Sequence, residues 1–294
     1  MKIVIAAASG NIGRRTAEKV IQAGGEAILL ARHPEKLADL VAQGATVKPI
    51  SSDDTEGLIE ATQNVDALFW LTPPNLFAPS LRNWYKQTAM AGANAVRENG
   101  IQRVVNISSI GAGAEPNLGT VSFGGDVESI FNQTAANVLH LRPGYFMENF
   151  LLDQIEFIRQ HRTVSFAYAS DHDIPWISTD DIGDEAAKYL LDETWAGQWT
   201  RNLMGPQNLT PVEITALLSR MLDYPINYVQ ITIESIQHQL ALAGATPKVQ
   251  QELGDLLRAL SNPDGIYATA RTPESITPTT FEQFAAYKLL PKLT

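Results

Sequence analysis

The chain has no cysteine among its 294 residues. Disulfides, thiolate metal sites and cysteine nucleophiles are thereby excluded, and five scattered histidines are the only soft ligands left. With nothing that calls for an oxidising compartment, the cytoplasm is the expected location. Positive charge is scarce as well: 22 lysines and arginines stand against 32 acids, for a net charge of −10. The basic residues are dispersed, so the electrostatic footprint of a nucleic-acid binder is missing. No apolar run approaches the roughly 18 residues of a membrane helix. No basic stretch precedes an apolar segment near Met1, so neither secretion nor membrane insertion is expected. One further absence concerns chemistry. None of the eight tyrosines is followed four positions later by lysine, and no lysine occurs between Lys86 and Lys188. A Tyr-x-x-x-Lys pair lets a phenol exchange the proton that accompanies hydride transfer to an ordinary ketone, because the lysine lowers the phenol pKa. Without it, a conventional alcohol–ketone dehydrogenase is disfavoured.

What is present is an ordinary globular composition, 45% hydrophobic and 18% charged, in a chain long enough for a large core. The first 145 residues alternate two periods. Ile3–Ala7, Ala27–Ala31, Val47–Ile50, Ala67–Leu71, Arg103–Ile107 and Val138–Leu141 are short apolar runs of the kind that form strands buried on both faces. Segments of helical spacing lie between them, such as Ile12, Thr16, Val20 and Ile21. The rhythm predicts an α/β fold with a doubly wound parallel sheet, followed by a smaller, mainly helical carboxyl-terminal lobe. The expected division is 1–150 for the dinucleotide-binding domain, with 177–204 returning to its sheet, and 151–294 for the lobe. Within the second part, Glu148–Arg159 reads as a helix, Val164–Tyr168 as a strand, and Thr179 as the cap of the helix that follows. Gln198–Met204 reads as the last strand. Thr210-Pro211-Val212-Glu213 is a capping-box start, and Thr277–Phe284 opens another helix.

The first turn reads AAASGNIG, directly after the first strand pattern. Ser9, Gly10, Asn11, Ile12 and Gly13 stand where a dinucleotide-binding turn belongs, since free amides and the positive helix end favour a pyrophosphate there. Ala7 replaces the first glycine of the usual pattern, and taken alone the stretch also fits a plain strand-to-helix corner. The end of the second strand sharpens the reading. Dinucleotide sites that take NAD carry an acid there, whereas this chain has Arg32, whose planar fork suits the extra phosphate of NADP. Leu71-Thr72-Pro73-Pro74 is a rigid loop across the expected cofactor path. Ser108 and Ser109 close the fifth strand near the expected nicotinamide, as cofactor or substrate contacts or as simple backbone bonders.

Several stretches in order, AASGNIGRR, LLARHPEKL, NVDALFWLTPP, NGIQRVVNISSIGAG, LRPGYFMENF, STDDIG and TPTTFEQF, make the chain resemble the NmrA-like family, an atypical branch of the short-chain dehydrogenase/reductases. The resemblance covers nearly the full length. It implies an NADP(H)-binding Rossmann domain in which Ser9 to Gly13 hold the pyrophosphate, Arg32 the 2′-phosphate, Thr72 and Pro73 the middle of the cofactor, and Pro143, Gly144 and Phe146 the nicotinamide side. Two departures stand out: Ala7 in the tight turn, and Ile50-Ser51-Ser52 where the family often has an acid, with Asp53 following. The family includes NADPH-dependent quinone oxidoreductases and also redox sensors that act through a protein partner. The expected function is hydride transfer from NADPH to a small quinone-like or other conjugated acceptor. Such acceptors yield a stabilised anion that water can protonate. Tyr145, Phe146 and Trp176 are candidates for an aromatic substrate slot, or for lobe packing. His172 is a candidate proton donor, or a solvent-facing loop residue. The alternative function is a non-catalytic dinucleotide sensor; a homodimer or a regulatory protein partner stays open, and no metal is expected.

Overall fold

The computed structural model describes residues 1–293; Thr294 and the side chain of Asp153 lie outside the described set. Seven strands form one parallel sheet: β1 (Lys2–Ile5), β2 (Glu26–Leu30), β3 (Thr46–Lys48), β4 (Ala67–Leu71), β5 (Arg103–Ile107), β6 (Asn137–Pro143) and a seventh, Gln198–Leu203. Their spatial order is seventh, β6, β5, β4, β1, β2, β3. The chain winds outward in both directions from β1, so the order reverses between β1 and β4. Ligands of such sheets bind in the crevice beyond the strand ends at that reversal.

The five inner strands bury both faces, whereas the edge strands Thr46–Lys48 and Gln198–Leu203 are largely exposed or half-buried, and the period-2 alternation of side chains decides which face each residue meets. Ile3, Ile5, Leu29, Phe69, Val105 and Leu139 pack under helix α1 (Asn11–Gln22) and the helix Thr179–Leu191. Val4, Ile28, Leu30, Leu68, Trp70 and Val104 face the helices Leu81–Asn99 and Thr120–Asn132. The helix Thr179–Leu191 runs beside α1, where Arg15 meets Asp184 at 2.6 Å and Thr16 Oγ1 donates to the Gly183 carbonyl at 3.4 Å.

The remaining residues build a second core that is strongly aromatic. Trp176, Phe150, Phe166, Tyr168, Phe281 and Phe284 interlock there, with Phe150 and Trp176 centroids 5.5 Å apart. Short strands frame it. Tyr145–Phe146 pairs in parallel with Trp176–Ile177, Asn208–Leu209 lies antiparallel to Ile174–Pro175, and Thr163–Phe166 pairs with Asn227–Gln230. Glu252, buried on the helix Pro247–Leu260, accepts from Ser80 Oγ and from the Leu81 amide, both at 2.7 Å, and so ties the lobe to the helix beginning at Leu81.

Several sequence expectations shift in detail. Glu148–Arg159 is not one regular helix. It begins as a 3₁₀ turn at Met147–Asn149, widens into a π-helical turn over Phe150–Gln154 and continues as Ile155–His161. The strand expected over Val164–Tyr168 spans Thr163–Phe166. Ser178, not Thr179, caps the next helix, accepting from the Asp180 amide. The helix expected from Thr277 starts at Phe281, where Thr280 and Gln283 form the capping box; Thr277 instead bonds the Met204 carbonyl. The capping box at Thr210 and Glu213 is present.

Inside the sheet, His140 on β6 is fully buried between two amides. Asn106 Nδ2 donates to Nδ1 at 3.0 Å, and Nε2 donates to Asn132 Oδ1 at 3.0 Å, so the ring is the neutral tautomer. Burial pushes its pKa from 6.5 down to about 4. Below pH 6.5 the unfolded chain takes up a proton that the native chain refuses. The stability contributed by this site is therefore complete above about pH 6.5 and is lost as pH falls towards 4. The loss approaches about 3 kcal/mol at the lower end. Urea denaturation between pH 7.5 and 4.5 should show this slope, and His140→Gln should flatten it; an identical slope in the variant would assign the effect to other groups.

Candidate functional site

The loop from Ala6 to Gly10 leaves β1 at the sheet reversal and turns into α1. Ala7 adopts a left-handed backbone, φ +51°, a region that glycine enters freely and alanine only at a cost of about 1 kcal/mol. The conformation of the glycine-rich turn is thus kept even though its first glycine is replaced. Gly13 shows why the last one is not replaceable. A Cβ there would lie 2.6 Å from the Ala7 carbonyl oxygen and 3.0 Å from the Ala8 Cα, so only glycine lets the helix come this close to the strand. The Ala8 amide bonds the Leu30 carbonyl on β2 at 3.2 Å, and the Gly10 amide bonds Ala7. The N-cap Gly10 offers no side-chain cap, and no acid stands in the first turn of α1. The first amides of that helix therefore point outward without an anionic neighbour.

These residues line the end of a cavity of about 340 Å³ that runs across the sheet's carboxyl edge. Ser9, Gly10, Asn11, Ile12 and Gly13 form its centre. Arg32 stands at one end with Leu30, Ala31, Ile50, Ser51 and Ser52. Among the described residues, Arg32 has no hydrogen-bond or ion-pair partner and is exposed. Asp53 does not line the cavity; its carboxylate accepts from Ser51 Oγ. The other end is built from Leu71, Pro73, Trp84, Phe146, Glu148, Asn149, Leu152 and Thr179. Trp84 is held in place by its indole N–H, which donates to the Pro73 carbonyl at 2.8 Å.

Glu148 is 3% exposed on its side chain, an unusual place for a carboxylate. It accepts from the Thr179 amide at 2.8 Å, from Ser178 Oγ at 3.3 Å and from Lys288 Nζ at 2.9 Å. Lys288 also meets Asp180 at 2.7 Å. Burial works to lower the Lys288 pKa, but Asp180 and Glu148 together hold it above its ordinary value. Asp181 next door accepts from the Thr279 amide and hydroxyl at 2.9 and 2.6 Å. The carboxyl-terminal segment thus braces the wall of the cavity through three carboxylates.

The structure gathers eight of the sequence-predicted site residues around this cavity, namely Ser9 to Gly13, Arg32, Pro73 and Phe146. The others lie behind it. Thr72 is buried, where its hydroxyl accepts from Trp70 Nε1 at 3.1 Å. Ser108 Oγ is buried without a partner, 3.0 Å from where a Cβ on Gly124 would stand. Pro143 ends β6 against Leu203, and Gly144 lies so close to the Pro175 carbonyl that a Cβ would approach it to 2.2 Å. Trp176 does not line this cavity: it is 1% exposed in the lobe core and donates to the Leu209 carbonyl at 2.9 Å. Tyr145 packs edge-on to it at 4.9 Å and does not line the cavity. His172 is neither solvent-facing nor near the turn. It is 5% exposed, stacks on Tyr168 at 5.4 Å and bonds the Leu260 carbonyl through Nε2 at 2.8 Å, beside a separate polar cavity of about 590 Å³. Residues missed by sequence reasoning are Trp84, Glu148, Asn149, Leu152 and Thr179. Glu148 and Thr179 sit inside the quoted LRPGYFMENF and STDDIG stretches, so the signal was at hand; Trp84 and Leu152 carried none.

Residues 7–149 match a family model described as NAD(P)H-binding. The chain is 24% identical over 286 residues to an NAD(P)H azoreductase of Xenophilus azovorans, covering 96% of both proteins. Its fold superimposes on that of an NADPH-dependent quinone oxidoreductase of Escherichia coli complexed with NADPH, with a TM-score of 0.79, 20% identity, and coverage of 98% of this chain and 99% of that one. It is also similar to NmrA, a negative transcriptional regulator in complex with NAD, with a TM-score of 0.77, 15% identity, and coverage of 99% and 96%. Among the described residues no helix is long and apolar enough to cross a membrane, and no three or more His, Cys, Asp or Glu side chains are grouped so as to hold a metal ion.

The strained turn makes a direct prediction. Ala7→Gly should stabilise the chain by about 0.5–1 kcal/mol by relieving the positive φ, whereas Gly13→Ala should cost more than 2 kcal/mol by forcing the helix off the strand, about the cost of overpacking a tight contact. Thermal unfolding of both variants checks this; a Gly13→Ala protein as stable as the parent would refute the close-approach argument.

Proposed function

We propose, from the match of residues 7–149 to an NAD(P)H-binding family model, that the chain is an oxidoreductase which uses NADPH to reduce a quinone-like or other conjugated acceptor in this cavity. The observation that carries the reading is the partition of one cavity into a cationic end, an amide-lined centre and an apolar end. Arg32 takes the 2′-phosphate of the adenosine half as a charge-assisted fork, with Ser51 and Ser52 beside it. The uncapped amides of α1 and the Ser9 hydroxyl take the pyrophosphate, a site that the absence of first-turn acids leaves open to anions. Pro73 and Phe146 border the middle and far part, where the acceptor meets the reducing ring.

Bound NADPH supplies a hydride, so that acceptor and water together end as a hydroquinone-type product, hydroxide and NADP⁺. The chain's own contribution is placement. The sheet edge and the braced wall at Glu148 and Thr179 hold the two reactants side by side, and an acceptor that forms a delocalised anion needs no Tyr-x-x-x-Lys pair for its proton. The lack of that pair also supports a second reading, a dinucleotide-sensing regulator that acts through a protein partner. In this reading the dinucleotide lies on the 1–150 domain, to whose sheet 177–204 returns, and the acceptor lies between that domain and the start of the 151–294 lobe, where Phe146, Leu152 and Thr179 line the cavity.

Two measurements test this. Reduced-nicotinamide absorbance should fall when NADPH and a panel of quinones are supplied, and binding without turnover of any of them would favour the sensor. Calorimetric titration of Arg32→Ala should show NADPH affinity about tenfold weaker, the worth of one partly exposed charge-assisted contact, with NADH nearly unchanged. Equal losses for both dinucleotides would show that Arg32 does not read the phosphate.

A further inference from the structure

Two features of the apolar end are unexplained by packing. The first is Leu152. It is 82% exposed, yet it lines the mouth of the cavity. Its outward position is enforced by its neighbours in the π-helical turn. Phe150 is sunk in the aromatic core, and Gln154 is clamped to Ser165 by two hydrogen bonds, its amide donating to the Ser165 carbonyl at 2.9 Å and its oxygen accepting from the Ser165 amide at 2.8 Å. A large apolar side chain is thus held in water at the rim of a binding cavity, where it gains nothing until something flat and apolar covers it.

The second is Thr179. The residue is 3% exposed and lines the same end, its amide pinned to Glu148, but its hydroxyl is buried with no hydrogen-bond partner among the described residues. A buried hydroxyl without a partner is costly, and such groups recur where a ligand completes the bond. The charges at this end are equally informative. Among the described residues, the only charged side chain lining this end is Glu148, already matched by Lys288, and the cavity's lining cation, Arg32, stands at the opposite end.

We infer that the acceptor is an uncharged, planar conjugated carbonyl compound, which lays its apolar face on Leu152 and receives a hydrogen bond on its carbonyl oxygen from Thr179. This rests on the reading of the cavity as an NADPH-dependent reductase site and narrows its substrate class. The hydrogen bond strengthens as hydride arrives and negative charge grows on that oxygen, so Thr179 acts in the transition state more than in binding. An acceptor bearing a sulfonate or carboxylate finds no counter-charge at this end and leaves its anion beside Glu148.

The test uses the full chain with NADPH, 1,4-naphthoquinone and 1,4-naphthoquinone-2-sulfonate. Thr179→Val removes the hydroxyl at constant shape. It should lower kcat for 1,4-naphthoquinone by about tenfold, at the modest end of the loss seen when one donor to a developing oxyanion is removed. NADPH affinity and melting temperature should not fall, because the lost hydroxyl had no protein partner; Thr179→Ser should restore most of kcat. Leu152→Lys places a cation at the rim. It should raise the ratio of kcat/KM for the sulfonated over the plain quinone by about fivefold at low ionic strength, a gain that high salt removes. Unchanged kcat in Thr179→Val, or an unchanged acceptor ratio in Leu152→Lys, overturns the inference while leaving the reductase reading in place. No turnover of either quinone by a wild-type chain that binds NADPH overturns both.

Discussion

The contact between Gly13 and the Ala7 carbonyl governs the geometry of the whole cavity. Because the first turn of α1 has no Cβ at this point, the helix sits directly on the end of β1, and its free amides open at the sheet reversal instead of above it. The turn needs one residue in a left-handed conformation to make the corner. Here that residue is alanine, at φ +51°. The surroundings over-determine it: Ala6 bonds Phe69 on one side, Ala8 bonds Leu30 on the other, and Gly10 closes back on Ala7. A strain of about 1 kcal/mol is small against that many fixed partners, so the departure from the glycine pattern changes the stability of the turn and not its shape.

From that corner the cavity extends in two directions with opposite character. Towards β2 and β3 the lining sets Ser51, Ser52 and an Arg32 guanidinium without a partner among the described residues beside Leu30, Ala31 and Ile50. Towards β4 and the lobe it is mostly apolar, and its single carboxylate among the described residues, Glu148, is neutralised from outside by Lys288. This second wall is assembled from segments far apart in the chain. Glu148 comes from the stretch after β6, Ser178 and Thr179 from the start of the returning helix, and Lys288 from the carboxyl-terminal segment. A buried carboxylate is tolerable only because all three bond it at once. The brace explains how the last residues of the chain bear on a site at the edge of the sheet.

The doubly wound sheet was readable from residues alone, because strands buried on both faces must be continuously apolar and the helices between them carry their own period. The turn before α1 and the place of Arg32 at the end of β2 were readable for a similar reason: a strand-to-helix corner is local, and its residues follow one another in the chain. The candidates drawn from Tyr145, Trp176 and His172 were aromatic residues of the right type whose burial could not be known in advance. The lobe core takes up Trp176 completely and satisfies its indole through Leu209, and His172 is stacked and bonded in another cavity. The π-helical turn at Phe150–Gln154, which turns Leu152 outward, is set by Phe150 and by the clamp on Gln154, both tertiary contacts.

By itself, then, the order of residues determined the sheet, the position of the turn and the sign of charge at one end of the cavity. Each depends on periodicity or on neighbours within a few positions. Tertiary structure alone decided which side chains form the other end, since the wall of Trp84, Glu148, Leu152 and Thr179 joins positions whose proximity depends on how the lobe packs against the sheet. It also decided which hydroxyls are left buried without a partner among the described residues, Thr179 Oγ1 at the cavity being one of them.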